Sequence, residues 1–96
     1  MTAALPPLEV PRLSGGRERA RALVEQLGDR VAGSTVVVDF RGMVAGTPSF
    51  ADELVALVLG ERGARLLRAE HVSQEFGAYL VDAARDHGTD DRLQIT

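Results

Sequence analysis

Asp39, Arg41, Thr47, Ser49, Asp52 and Glu53 crowd into one short segment, and their types and spacing suggest recognition chemistry. The apolar run Thr35 to Val38 ends in Asp39, a glycine-bracketed loop follows from Gly42 to Gly46, and Thr47-Pro48-Ser49 opens a helix. A hydroxyl at a helix start, beside the carboxyl end of a buried strand, sits where α/β folds place ligand and partner contacts. The candidate partner-binding set is therefore Asp39, Arg41, Gly42, Gly46, Ser49, Asp52 and Glu53, with Ser49 and then Thr47 as candidate phospho-acceptors.

Other chemistries fit these residues poorly. Asp52 and Glu53 are adjacent, and residues i and i+1 of a helix do not face each other, so a paired-carboxylate mechanism is disfavoured. Ser49 lacks a Gly-x-Ser-x-Gly elbow, and the only imidazole bases are His71 and His87. All 11 basic residues are arginine. Without lysine there is no phosphate-loop ligand and no Schiff-base amine; without cysteine there is no thiol nucleophile or thiolate zinc site. No cofactor is expected. The formal charge of -3 and the single Tyr argue against nucleic acid as the main partner.

The surrounding pattern says what must position these residues. At 96 residues and 45% hydrophobic content the chain suits one domain with an aliphatic core. Residues 1–7, with Pro6-Pro7, are expected to be loose, and residues 8–96 to form the domain. Leu8, Val10 and Leu13 can alternate in a short strand, which Pro11 either confines to a sheet edge or stops. Ala20, Leu23, Val24 and Leu27 follow the helical i, i+3, i+4, i+7 spacing, with Gly28 as terminator and Arg17, Arg21 and Glu25 paired along the wet face. Thr35 to Phe40 is β-branched without alternation, the pattern of a strand covered on both faces.

A second helix from Ser49 to about Leu59 buries Phe50, Leu54, Leu57 and Val58, and Gly60 and Gly63 end it. Ser49 with Asp52 resembles a capping box; Thr47 as N-cap with Pro48 in the first turn is the competing start. A strand at Ala64 to Arg68, a third helix from Ser73 to about His87 closed by Gly88, and a last strand at Arg92 to Thr96 complete the order. This alternation predicts an α/β fold: a mostly parallel four-stranded sheet covered by three helices, with right-handed crossovers. The N-terminus lacks a basic region and a long apolar run, so neither a secretory signal nor a membrane span is expected, and a cytoplasmic protein is.

Asp39, the aromatic Phe40, Gly42 and the run Ser49-Phe50-Ala51-Asp52-Glu53-Leu54 resemble the STAS family, the domain of sulfate transporters and anti-sigma factor antagonists. The chain is more similar to small bacterial STAS-like proteins. The likeness is best from about Thr35 to Leu59; helix placement alone agrees elsewhere. It implies a non-catalytic regulatory module whose partner is a histidine-kinase-like ATPase acting as an anti-sigma factor, with Ser49 as phospho-acceptor. Nucleotide or small-molecule sensing, also known among STAS relatives, is the alternative, and a hydrolase built on Ser49 a distant third. Homodimer pairing through either edge strand stays open. The chain departs from the antagonist pattern in having Phe50, Asp52 and Glu53 after the acceptor. A phosphoserine carries about -1.5 to -2 charge. Two unit charges about 6 Å apart repel by roughly 3 kcal/mol at an effective dielectric near 20. A compensating cation is therefore required, and Arg41 is the nearest in sequence.

Overall fold

Four parallel strands in sequential order carry the fold. The computed structural model describes residues 5–96. The main sheet runs β1 (Leu8–Glu9), β3 (Thr35–Asp39), β5 (Leu66–Glu70) and β6 (Leu93–Ile95). A second, two-stranded parallel sheet joins β2 (Leu13–Ser14) to β4 (Ala45–Gly46). The helices are α1 (Arg17–Glu25), α2 (Pro48–Val55) and α3 (Gln74–Asp86). The α/β fold with its parallel four-stranded sheet is thus as expected. The expectation of loose chain over residues 1–4 lies outside the described residues, while Leu5 packs against the core.

The covering of the sheet differs from expectation. Each crossover (β1-α1-β3, β3-α2-β5, β5-α3-β6) advances one strand in the same direction. With a common hand, all three helices fall on one face. Burial agrees: Val36 and Val38 of β3 and Leu67 and Ala69 of β5 are buried, while Thr35, Val37, Asp39, Leu66, Arg68 and Glu70 between them are only partly so. The strand at Thr35 to Asp39 is therefore covered on one face, not two. The misleading signal was Val37, whose branched side chain suits a half-covered pleated surface as well as a core.

Between sheet and helices lie Leu8, Val24, Val31, Val36, Val38, Phe50, Leu54, Val58, Leu67, Leu80 and Ala84, all buried. α2 does not stop at Gly60. It widens into a π-helical turn, Ala56–Glu61, that contains the glycine, and the chain then reverses through Gly63 at φ 68°. Arg92 donates to the Leu59 carbonyl and ties this turn to the start of β6.

Candidate functional site

Thr47, not Ser49, caps α2. Its Oγ1 accepts the Phe50 N–H at 3.2 Å and the Gly16 N–H at 3.1 Å, and Pro48 takes the first helical position. One hydroxyl thus caps α2 and ties it to Gly16, the residue before α1. The Ser49–Asp52 capping box does not form; Ser49 lies within the first turn and is exposed. Thr47→Val is expected to cost about 1 kcal/mol in a denaturant melt, the worth of an N-cap. Ser49→Ala should stay within about 0.5 kcal/mol, as for an ordinary surface change.

The two carboxylates behind Ser49 are paired within the chain. Arg17 Nη1 donates to Asp52 Oδ2 at 2.6 Å and to Glu53 Oε1 at 3.4 Å, and Arg21 Nη2 donates to Glu53 Oε2 at 2.7 Å. His87 Nε2 lies 2.9 Å from Asp52 Oδ1. One expectation is corrected here, the pairing of Arg17 and Arg21 along their own helix. Asp52 and Glu53 serve an internal clasp, and Glu53 is buried to 9% exposure. Arg17 and Arg21 reach across to α2 in place of pairing along their own helix. His87 reaches back to α2 from the C-cap of α3. One charged cluster therefore joins α1, α2 and α3. Hydrogen bonding from Arg17, then from His87, holds the Asp52 carboxyl below its ordinary range.

The cation beside Ser49 is Arg17, not Arg41. A hollow of about 220 Å³ is lined by Arg17, Pro48, Ser49, Asp52, Tyr79, Asp82, Ala83 and Asp86. Arg41 belongs to a second cluster, at the carboxyl ends of β3 and β5. Asp39 Oδ1 accepts the Arg41 main-chain N–H at 2.9 Å and lies 3.2 Å from His71 Nδ1; Arg41 Nη2 lies 3.0 Å from His71 Nε2. The tautomer that satisfies all three carries its proton on Nδ1, donating to Asp39, while Nε2 accepts from Arg41. The Arg41 N–H, and secondarily His71, hold the Asp39 carboxyl below its usual range. His71 adopts a left-handed backbone, φ 57°, uncommon for a residue with a side chain. Nothing local in the sequence links it to Asp39, which leaves it there as one of two imidazole bases.

A hollow of about 400 Å³ opens beside this cluster, walled by Phe40, Met43, Val44, His71, Ser73 and Phe76, among others. Ser73 caps α3, its Oγ accepting the Phe76 N–H at 3.1 Å. Gly46, expected at a partner contact, has a packing duty. A Cβ there would sit 2.7 Å from the Phe76 ring and 2.8 Å from Met43 Sδ. A Cβ at Gly42 would meet nothing within 4 Å, and Gly42 lines a smaller hollow with Glu9, Val10, Asp39 and Arg41. Leu13 and Val44, at the β2–β4 ribbon, are exposed to 60% and 67%.

The class these features define is a parallel α/β domain with helices on one face of its sheet and its polar clusters at the helix starts and strand ends. No family model, curated protein or solved structure matches the chain. Among the described residues, no helix is long and apolar enough to cross a membrane.

Proposed function

We propose that this chain is a cytoplasmic, non-catalytic regulatory module of STAS-like type. It docks a protein partner, by resemblance a histidine-kinase-like ATPase, through the edge formed by the loop 40–47 and the first turn of α2. The observation that carries this reading is the exposed Ser49, freed from capping by Thr47, with the exposed apolar Val44 and Leu13 on the ribbon that leads into the same helix. Apolar side chains left in water beside an addressable hydroxyl suit a reversible protein contact.

The electrostatic objection to phosphorylation weakens in this geometry. Asp52 and Glu53 are already paired, and Arg17, 54% exposed, lines the hollow that Ser49 borders. A phosphoryl group on Ser49 would compete with Asp52 for Arg17, and charge-assisted bonds of this kind are the strong ones. Intact-mass analysis of protein recovered from its native host should show one added phosphoryl group, absent from Ser49→Ala. Binding to an ATPase encoded beside it should be lost in both Ser49→Asp and Val44→Asp. If both variants bind like the wild type, this edge is not the docking surface.

The hollow of about 400 Å³ at the strand ends supports a second reading, a small-molecule or nucleotide sensor. That reading expects a purine nucleotide to raise the melting temperature; a flat response at millimolar ligand removes it.

A further inference from the structure

The sheet face that carries no helix is an anomaly for this architecture, because wholly parallel sheets are normally covered on both sides. Its side chains fall into rows fixed by the strand register. Glu9, Asp39 and Glu70 are paired across β1, β3 and β5 at the carboxyl end. Val37, Arg68 and Gln94 form the next row on that face, and Thr35 and Leu66 the one toward the amino end. Arg65 borders the last row, its Nη2 donating to Thr35 Oγ1 at 2.9 Å.

Charge is segregated along this face. Neighbouring strands lie about 4.8 Å apart, so three carboxylates stand side by side, an arrangement that destabilises a sheet by itself. Asp39 is relieved by the Arg41 N–H and His71. Among the described residues, no cation stands within ion-pair distance of Glu9 or Glu70. Arg65 and Arg68 are likewise without a carboxylate; they bond the neutral Thr35 and Gln94, Arg68 Nε donating to Gln94 Oε1 at 3.0 Å. The acidic row at the carboxyl end, the two arginines toward the amino end and the partly exposed Val37 and Leu66 beside those arginines make a surface complementary to itself when turned end for end.

We infer that this face stacks on the same face of a second copy, strands antiparallel about a two-fold axis, so that Glu9 and Glu70 of each protomer meet Arg65 and Arg68 of the other. A two-fold interface requires this self-complementarity, which a covering helix or a basic peptide would not. The surface is distinct from the docking edge at Ser49, and its test does not depend on that reading.

Sedimentation equilibrium at low salt should show a concentration-dependent dimer. The dimer should dissociate at about 1 M salt, where the screening length falls to about 3 Å. Glu9→Arg/Glu70→Arg and Arg65→Glu/Arg68→Glu should each be monomeric. An equimolar mixture of the two should recover the dimer mass, since only a complementary pair can. Arg68→Glu alone, with an unchanged circular dichroism spectrum, should weaken the wild-type dimer at least tenfold and serves if a double variant fails to fold. A wild type that stays monomeric throughout, charge variants that dimerise unchanged, or folded variants whose mixture stays monomeric would each overturn the inference.

Discussion

Phe76→Ala is expected to lower unfolding free energy by about 3–5 kcal/mol, the range for removing a buried aromatic ring. Phe76 is 3% exposed and stands where three packing relations meet. Its ring centroid lies 5.2 Å from Phe40, 6.2 Å from Phe50 and 5.9 Å from Tyr79. It thereby ties the end of β3, the start of α2 and the first turn of α3 together, and walls the hollow of about 400 Å³. Gly46→Ala should cost about 1–3 kcal/mol, the usual range for overpacking, because the new methyl meets the same ring. The two losses should not add. With the ring gone, only the flexible Met43 thioether still meets a methyl at position 46, so Gly46→Ala/Phe76→Ala should be more stable than the sum of the single losses predicts. A urea-melt double-mutant cycle measures the difference. Additive losses would show that the cost at position 46 comes from the Met43 thioether and not from Phe76.

That pairing marks where sequence reading succeeded and where it stopped. Elements announced by local chemistry were legible. Ser73 and Gly88 bracket α3 as expected, and the apolar spacing from Ala20 to Leu27 placed the buried face of α1. Contacts between elements left no local trace. Arg17 lies 35 residues from Asp52, and His71 lies 32 from Asp39, so neither cluster has a spacing to read. The β2–β4 ribbon was missed for a related reason: two-residue strands are too short to show alternation, and both run into glycines. The choice between Thr47 and Ser49 as cap was visible as a choice. Pro48, suited to the first helical position, was the discriminating residue, and the weight given to the Ser49–Asp52 spacing obscured it.

The clasp around Glu53 gives the second large effect, and its signature is a sign. In the wild type, Asp39 and Asp52 have folded-state affinities for protons below the ordinary aspartate value near 3.9. Their contribution to stability is present above that value and is lost as pH falls through the lower folded one. Arg17→Ala/Arg21→Ala removes both arginines bonded to Glu53 and leaves a carboxylate of 12% side-chain exposure packed against α1 without a cation. The same variant takes from Asp52 the Arg17 hydrogen bond that contributes most to holding its carboxyl low. It should melt below wild type at pH 7, and the gap should narrow as pH falls through the lowered folded value of Asp52, where wild type loses a contribution that the variant lacks. Adding Asp52→Asn to both proteins should abolish the narrowing, because an amide has no proton to gain. A gap that stays constant with pH, or widens, would show that Arg17 does not hold the Asp52 carboxyl low, and that the clasp orders α1 against α2 without a charge contribution.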